Sequence, residues 1–267
     1  MVLESQNRPT SGVLTRIITV LGFLILYVPL ICMAIYSFLT QAGGVDQPRE
    51  WTLEWYRSLA SNTEVLDALN MSLIVGFWST LFATCLGTCA ALAITRTRFP
   101  GRKVFDVLTY IPLIMPEIVL GIALLIWFVL LQVTLGAVSI ILAHVTFCMS
   151  YVIITVKARL HGFDESLEEA ARDLGATPWK TFWKVTFPLI SPGILSGALM
   201  AFTLSFDDFL ITFFTAGVGS DTLPLKIYSM IKFGVSPEIN ALSTLIMLAT
   251  LILVLLFTKP MKRTTEI

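Results

Sequence analysis

Apolar residues gather in six long stretches, Ile17 to Leu39, Met71 to Thr95, Val104 to Leu131, Val133 to Val156, Leu189 to Phe214 and Ala241 to Thr258, with polar residues collected between them. A helix crosses a bilayer with about 20 apolar residues, and each stretch is near or above that length. The pattern predicts an all-α, polytopic six-helix transmembrane bundle that forms one domain over residues 1–267. The first stretch follows Arg8 and Arg16 but is too long for a signal-peptide core. No small-residue cleavage site follows it closely, so it reads as a retained anchor.

The longest polar interruption, residues 157–188, has a pattern of its own. Ser166 to Leu174 reads as a short helix, with Ser166 as N-cap, Glu169 completing a capping box and carboxylates in the first turn, where the helix dipole favours them. Gly175 supplies a left-handed stop, and Thr177-Pro178 opens a second helix with proline at its first position. That second helix, Pro178 to Val185, spaces Trp179, Phe182 and Trp183 at i, i+3 and i+4, so one face is apolar while Lys180 and Lys184 stay in water. Two readings fit: a knob that docks into a groove on a soluble partner, or an amphipathic connector lying on the membrane surface.

Two other interruptions carry local structure. Trp51-Thr-Leu-Glu-Trp55-Tyr56 is an aromatic segment of the kind that anchors at a membrane interface. Acids outnumber arginines around it, which leaves open a solvated interfacial helix or a part in receiving a cation. Leu223-Pro224-Leu225-Lys226-Ile227-Tyr228-Ser229, followed by Gly234-Val235-Ser236-Pro237-Glu238, reads as a short helix and then a turn.

Three carboxylates fall inside the apolar stretches. Glu117 follows Pro112 and Pro116 near the middle of the third, and Asp207-Asp208 lie in the outer half of the fifth. An acid at membrane depth costs about 2.5–3.5 kcal/mol on insertion scales, so these residues should line a cavity rather than face lipid. The prolines strengthen that expectation, because irregular backbone at this depth is tolerated where it lines a cavity or is covered by protein. Neighbouring helical residues point about 100° apart, so one aspartate is expected on the cavity and the other at a helix contact. The sequence does not distinguish them.

Composition narrows the class. The chain is 56% hydrophobic and 13% charged, with 18 basic and 18 acidic side chains, which excludes a typical soluble enzyme or nucleic-acid binder. With both termini inside, the cytoplasmic side holds Arg8, Arg16, Arg96, Arg98, Arg102, Lys103, Lys157, Arg159, Arg172, Lys180, Lys184, Lys259, Lys262 and Arg263, and the outside only Arg49, Arg57, Lys226 and Lys232. This bias fixes the expected topology and places the 157–188 loop in the cytoplasm. Cys32, Cys85, Cys89 and Cys148 sit within spans at spacings that fit neither a zinc site nor a disulfide framework. His144 is expected to hydrogen-bond between helices, and Gly193-x-x-x-Gly197 to permit close helix packing.

The order Glu169-Ala170-Ala171, then Gly175, then Val185-x-Phe187-Pro188 resembles the EAA signature of bacterial ABC importer permeases of the type I, MetI-like class: Glu-Ala-Ala, three residues, Gly, nine residues, Ile-x-Leu-Pro. Val185 and Phe187 replace Ile and Leu and keep those positions apolar. The resemblance implies that Glu169, Ala170, Ala171 and Gly175 belong to a coupling helix that docks on an ATP-binding subunit. His144 to Cys148, Phe202 to Asp208, Leu223 to Ser229 and Val235 to Ala241 are further similar to the spermidine/putrescine importer permeases of the PotC type. That likeness runs from the first span to the last.

The narrower resemblance implies an ATP-driven importer in the bacterial cytoplasmic membrane. It would receive polyamines from an extracytoplasmic binding protein, pass them between this chain and a second related permease, and use a dimer of ATP-binding subunits. By position, Trp51, Glu117 and Asp207 or Asp208 would lie on the polyamine path. The chain contains no G-x-x-x-x-G-K-[ST] phosphate loop, so no cofactor is expected here and ATP would be bound by the partner. An importer of another small solute, a stand-alone transporter in which the acids carry protons and an intramembrane enzyme are alternatives. The stand-alone transporter leaves the EAA loop without a purpose, and the enzyme has no zinc-ligand motif and no catalytic partner at motif spacing for His144.

Overall fold

A computed structural model describes residues 9–40, 50–164, 166–233 and 237–257. The described chain is helical, and its only β pairing is an isolated bridge between Leu39 and Trp51. In chain order the α-helices are α1 (Pro9–Tyr36), α2 (Glu54–Ser61), α3 (Thr63–Arg96), α4 (Arg102–Leu108), α5 (Ile111–Ile114), α6 (Glu117–Leu130), α7 (Ala137–His161), α8 (Ser166–Asp173), α9 (Pro178–Thr181), α10 (Phe187–Asp207), α11 (Leu210–Thr215), α12 (Leu223–Phe233) and α13 (Pro237–Phe257). A π-helical turn, Phe182–Thr186, joins α9 to α10. The chain ends and the turn expected at Gly234-Val235-Ser236 lie outside the described residues, as do Asp46 and Arg49 of the first outer loop.

Among the described residues, Leu14–Tyr36, Thr63–Arg96, Ala137–His161 and Pro178–Asp207 are each long and apolar enough to span a membrane. The third expected span is instead a broken pair: Arg102–Ile114 and Glu117–Leu130 meet at 111°. Met115 and Pro116 are both extended at that corner. Pro116 supplies no N–H for a helical bond and forces the residue before it out of the helical region, which accounts for the break. The fourth span begins at Ala137, after a turn in which Gln132 has φ 55°. The fifth ends at Asp207, and α11 follows in a new direction after Asp208 leaves the helical region with ψ 127°. The sixth expected span falls on α13, whose described apolar part, Pro237–Ile252, is shorter than a full crossing.

Two compact units divide the chain, Met1–Thr63 with Ser229–Ile267, and Glu64–Tyr228. In the first, α13 packs on α1 and α2. Ser58 of α2 donates to the Glu238 carboxylate, Trp55 Nε1 donates to the Leu39 carbonyl at 2.9 Å, and the Tyr56 and Ser37 hydroxyls lie 2.7 Å apart.

The second unit is built on α7, whose main partner is α10. Small residues let their backbones approach: a Cβ at Gly197 would lie 3.3 Å from Val152 Cα, and one at Gly193 would lie 2.8 Å from Arg159 Cβ. Gly87 of α3 receives Val152 from the opposite side, where a Cβ would meet Val152 Cβ at 2.9 Å. Helices in lipid gain little from burying apolar surface, so such close packing is what holds them together. Ala143, Cys148, Val152, Val156, Ile190 and Ala201 are fully buried in this seam. At one end of α7, Ser139 Oγ accepts from Gly136 N–H and donates to the Thr215 carbonyl, each at 2.7 Å. Near the other end, Lys157 pairs with Asp106 of α4 and lies 5.7 Å above the Tyr110 ring.

Candidate functional site

The two helix breaks of the second unit face one cavity of about 430 Å³. Pro112, Leu113, Met115, Pro116 and Glu117 line it from the α5–α6 corner, Asp207 to Ile211 from the α10–α11 corner, and Phe147 and Tyr151 from α7. This agrees with the expectation that the prolines and intramembrane acids would gather at a cavity. The second break was not foreseen, because no proline marks it.

Its cause is Asp208. The Asp208 carboxylate accepts from the N–H groups of Ile211 at 3.3 Å and Thr212 at 2.8 Å, so it caps the free amides at the start of α11. The Thr212 hydroxyl donates to it at 2.9 Å, and His144 Nε2 lies 3.2 Å away. His144 is fully buried, with Thr212 Oγ1 at 3.0 Å on Nε2 and Ser205 Oγ at 2.7 Å on Nδ1. Nδ1 thus faces Ser205, and Nε2 faces Thr212 and Asp208. His144 therefore bridges α7, α10 and α11, as expected of an intramembrane histidine. The aspartate left ambiguous by sequence as the helix-contact residue is Asp208, whose side chain is 5% exposed.

Asp207 and Glu117 differ in kind. Each is exposed, borders the cavity and has no hydrogen-bond or ion-pair partner among the described residues. Glu117 is the first residue of α6, where the helix dipole favours a negative charge. Two ionisable groups from separate elements thus face one cavity lined partly by the rings of Phe147, Tyr151 and Phe209. Such an arrangement can hold a cation through carboxylates and aromatic faces. Trp51 is not in this group. It belongs to the first unit, is 74% exposed, and lines a separate recess with Phe38, Leu53, Glu54 and Arg57.

The polar loop forms the two expected helices. Ser166 already lies within α8, and the Asp164 carboxylate accepts its N–H at 3.0 Å, in place of the cap expected from Ser166 itself. Gly175 has φ 83°, and its N–H donates to the Arg172 carbonyl at 2.8 Å, closing the stop. Thr177 caps α9 by accepting from Lys180 N–H at 3.4 Å. The second helix does not end at Val185 but continues through the π-helical turn into α10. Pro188 has no N–H to give an i−4 carbonyl, and the wider turn, with Phe187 N–H donating to the Phe182 carbonyl, carries the chain past it.

Glu169, Ala170 and Gly175 are exposed and Ala171 is half-buried. Leu174 and Trp179 beside them are 89% and 70% exposed, and Trp183 packs edge-to-face on Trp179. An apolar knob of this kind on a polar loop is suited to a partner's groove.

Glu168 is a residue that the motif reading passed over. It is buried, and its carboxylate accepts from Arg96 Nη1 at 2.6 Å, from Arg172 Nη2 at 3.4 Å and from the Thr186 hydroxyl. Burial works to raise its pKa, but Thr186 and the two guanidiniums outweigh that and hold the carboxyl below its ordinary value. The sequence signal was the doubled glutamate. On a helix the second points about 100° away from the first.

A multi-span helical chain with a cavity at two helix breaks and an exposed apolar knob between two spans has the build of a membrane permease subunit. Residues 83–262 match the family described as "Binding-protein-dependent transport system inner membrane component", and the chain belongs to this family. It is 42% identical over 238 residues to the putrescine transport system permease protein PotI of Escherichia coli (strain K12), covering 86% of this chain and 84% of that protein. It is 40% identical over 230 residues to the spermidine/putrescine transport system permease protein PotC of the same organism, covering 86% and 87%. Its fold is similar to a chain in the crystal structure of a bacterial ABC transporter involved in the import of the acidic polysaccharide alginate, with a TM-score of 0.75, 16% identity and coverage of 98% and 100%. The chain is therefore a multi-pass permease subunit of an ABC importer.

Proposed function

We propose that the chain moves polyamines, spermidine and/or putrescine, across the cytoplasmic membrane, with both termini in the cytoplasm and residues 1–267 acting as one permease domain. The observation that carries this reading is the pair of carboxylates, Glu117 and Asp207, without an ion-pair or hydrogen-bond partner among the described residues and facing one cavity in a chain 42% and 40% identical to permeases of putrescine and spermidine/putrescine systems. A linear polycation presents separated ammonium groups joined by methylenes. Two acids on different elements suit the ammoniums, and Phe147, Tyr151 and Phe209 suit the methylenes. Held by several weak sites rather than one cage, the passenger can leave as well as enter. Asp208 serves the path indirectly, by fixing the break that presents Asp207. Trp51, on the outer loop, would offer an aromatic face to an arriving ammonium.

The partners are an extracytoplasmic polyamine-binding protein, a second homologous permease and a dimer of ATP-binding subunits. ATP is bound by those subunits, and this chain carries no cofactor. Glu169, Ala170, Ala171 and Gly175 form the coupling surface, extended by Leu174, Trp179 and Trp183. ATPase closure moves that surface as a rigid body and turns the cavity from one side of the membrane to the other.

The test is ATP-dependent uptake of radiolabelled spermidine and putrescine into proteoliposomes that hold the chain with its second permease and ATPase, supplied with the binding protein. Uptake that requires ATP and the binding protein is expected. ATP hydrolysis stimulated by the binding protein without polyamine entry would remove the substrate assignment and leave the importer. Uptake driven by a proton gradient without the ATPase would remove the importer.

A further inference from the structure

We infer that Glu168 is a positioning residue that joins the coupling helix α8 to the membrane helices α3 and α10, so that the two adjacent glutamates of α8 serve opposite directions. The inference rests on the importer reading and assigns a role to a residue outside the coupling signature. Glu169 is exposed on the outer face of α8, where a soluble subunit can reach it, whereas Glu168 is 7% exposed on the inner face. A buried carboxylate is costly unless charged and hydrogen-bonded groups surround it, and three do.

Arg96 is the last residue of α3 and reaches Glu168 at 2.6 Å. Its guanidinium also lies 5.0 Å above the ring of Phe163, between α7 and α8. Thr186 ends the π-helical turn that leads into α10, and its hydroxyl donates to the same Glu168 oxygen. Arg172, four residues on, braces the second oxygen within α8. One side chain thus ties the coupling helix to the end of α3 and to the start of α10.

The far end of α10 carries Asp207 at the cavity, and α10 is fixed along α7 by the close approaches at Gly193 and Gly197. A displacement of α8 by the ATPase therefore has a contiguous route to the cavity through Glu168, Thr186 and the body of α10. The route does not depend on the exposed knob alone. The knob makes the ATPase contact, and Glu168 makes the contact that turns its motion into motion of the bundle.

Glu168→Gln keeps the shape but removes the charge that Arg96 and Arg172 need, and Thr186→Val keeps the volume but cuts the link to α10. Both are read in the reconstituted complex with its ATPase and binding protein, as polyamine imported per ATP hydrolysed and as stimulation of hydrolysis by the loaded binding protein. We expect each variant to retain the ATPase on purification while the import-to-hydrolysis ratio falls about five-fold or more, the scale of a modest coupling free energy. A wild-type ratio and wild-type stimulation in both variants would overturn the inference. So would loss of the ATPase on purification with a normal ratio in the complexes that remain, because that is what a merely structural role produces. If wild-type complex hydrolyses ATP under control of the binding protein yet imports no polyamine, the substrate reading fails. Stimulation in the two variants then decides the role of Glu168 by itself.

Discussion

The division of labour between adjacent aspartates gives the sharpest test of the structure. Asp208→Ala removes the acceptor for two backbone N–H groups at the start of α11 and for the Thr212 hydroxyl, beside the fully buried His144. Loss of a helix cap costs about 0.5–2 kcal/mol. A buried hydrogen-bonding group left without its partner adds about 1–3 kcal/mol, so the total centres on about 3 kcal/mol. For a chain of this size each kcal/mol lowers Tm by about 2–4 °C, which predicts a fall of about 6–12 °C. Asp207→Asn removes no hydrogen bond or ion pair among the described residues. Asp207 is exposed at the cavity, so Tm should hold while uptake falls. Thermal unfolding of the detergent-purified complexes, followed by tryptophan fluorescence, measures the first effect. Amide exchange at Ile211 and Thr212 localises it, because those amides lose their acceptor in Asp208→Ala alone. If Asp208→Ala unfolds within about 2 °C of wild type and Asp207→Asn is the variant that falls, the assignment of one aspartate to the cap and the other to the cavity is wrong, and so is the energetic reasoning that separates them.

Three further outcomes follow from the same geometry. Glu117→Gln should reduce polyamine uptake about ten-fold, the scale of losing about 1.4 kcal/mol of interaction, with complex assembly unchanged on gel filtration; normal uptake by an assembled variant would exclude Glu117 from the path. Gly175→Pro requires φ near −65° where the chain has 83°, and deletes the N–H that donates to Arg172, so the stop of α8 is lost. The ATPase should then fail to co-purify or lose its response to the binding protein, and full substrate-stimulated hydrolysis would contradict the docking assignment. Glu168 has its pKa depressed below 4.5 against burial by Thr186, Arg96 and Arg172, so its contribution to stability is complete above the ordinary carboxyl value and disappears as pH falls through the lower folded value. Fluorescence of the nearby tryptophans should be flat from neutral pH down to about 5 and show an acid step that Glu168→Gln lacks.

The apolar periodicity determined most of the class. Six stretches too apolar for water leave the chain no choice but the bilayer, and the helices at α1, α3, α7, α10 and α13 lie where those stretches are. The polar loop between α7 and α10 was also legible, because its rules are local: a glycine forced to φ 83° and a proline with a threonine cap act within a turn of themselves. The break before Glu117 was marked by Pro116 for the same reason.

What sequence left open depends on neighbours distant along the chain. Asp207 and Asp208 are equivalent as residue types and both border the cavity, and only the arrival of His144 from α7, 3.2 Å from Asp208, gives that one a buried network and leaves Asp207 without a polar partner among the described residues. Glu168 and Glu169 are equally indistinguishable until Arg96 and Thr186 close over the first. A helical pattern specifies which residues share a face. It does not specify what that face meets, and for a carboxylate in or near a membrane the partner decides whether the charge holds the fold together or stays free for a cation.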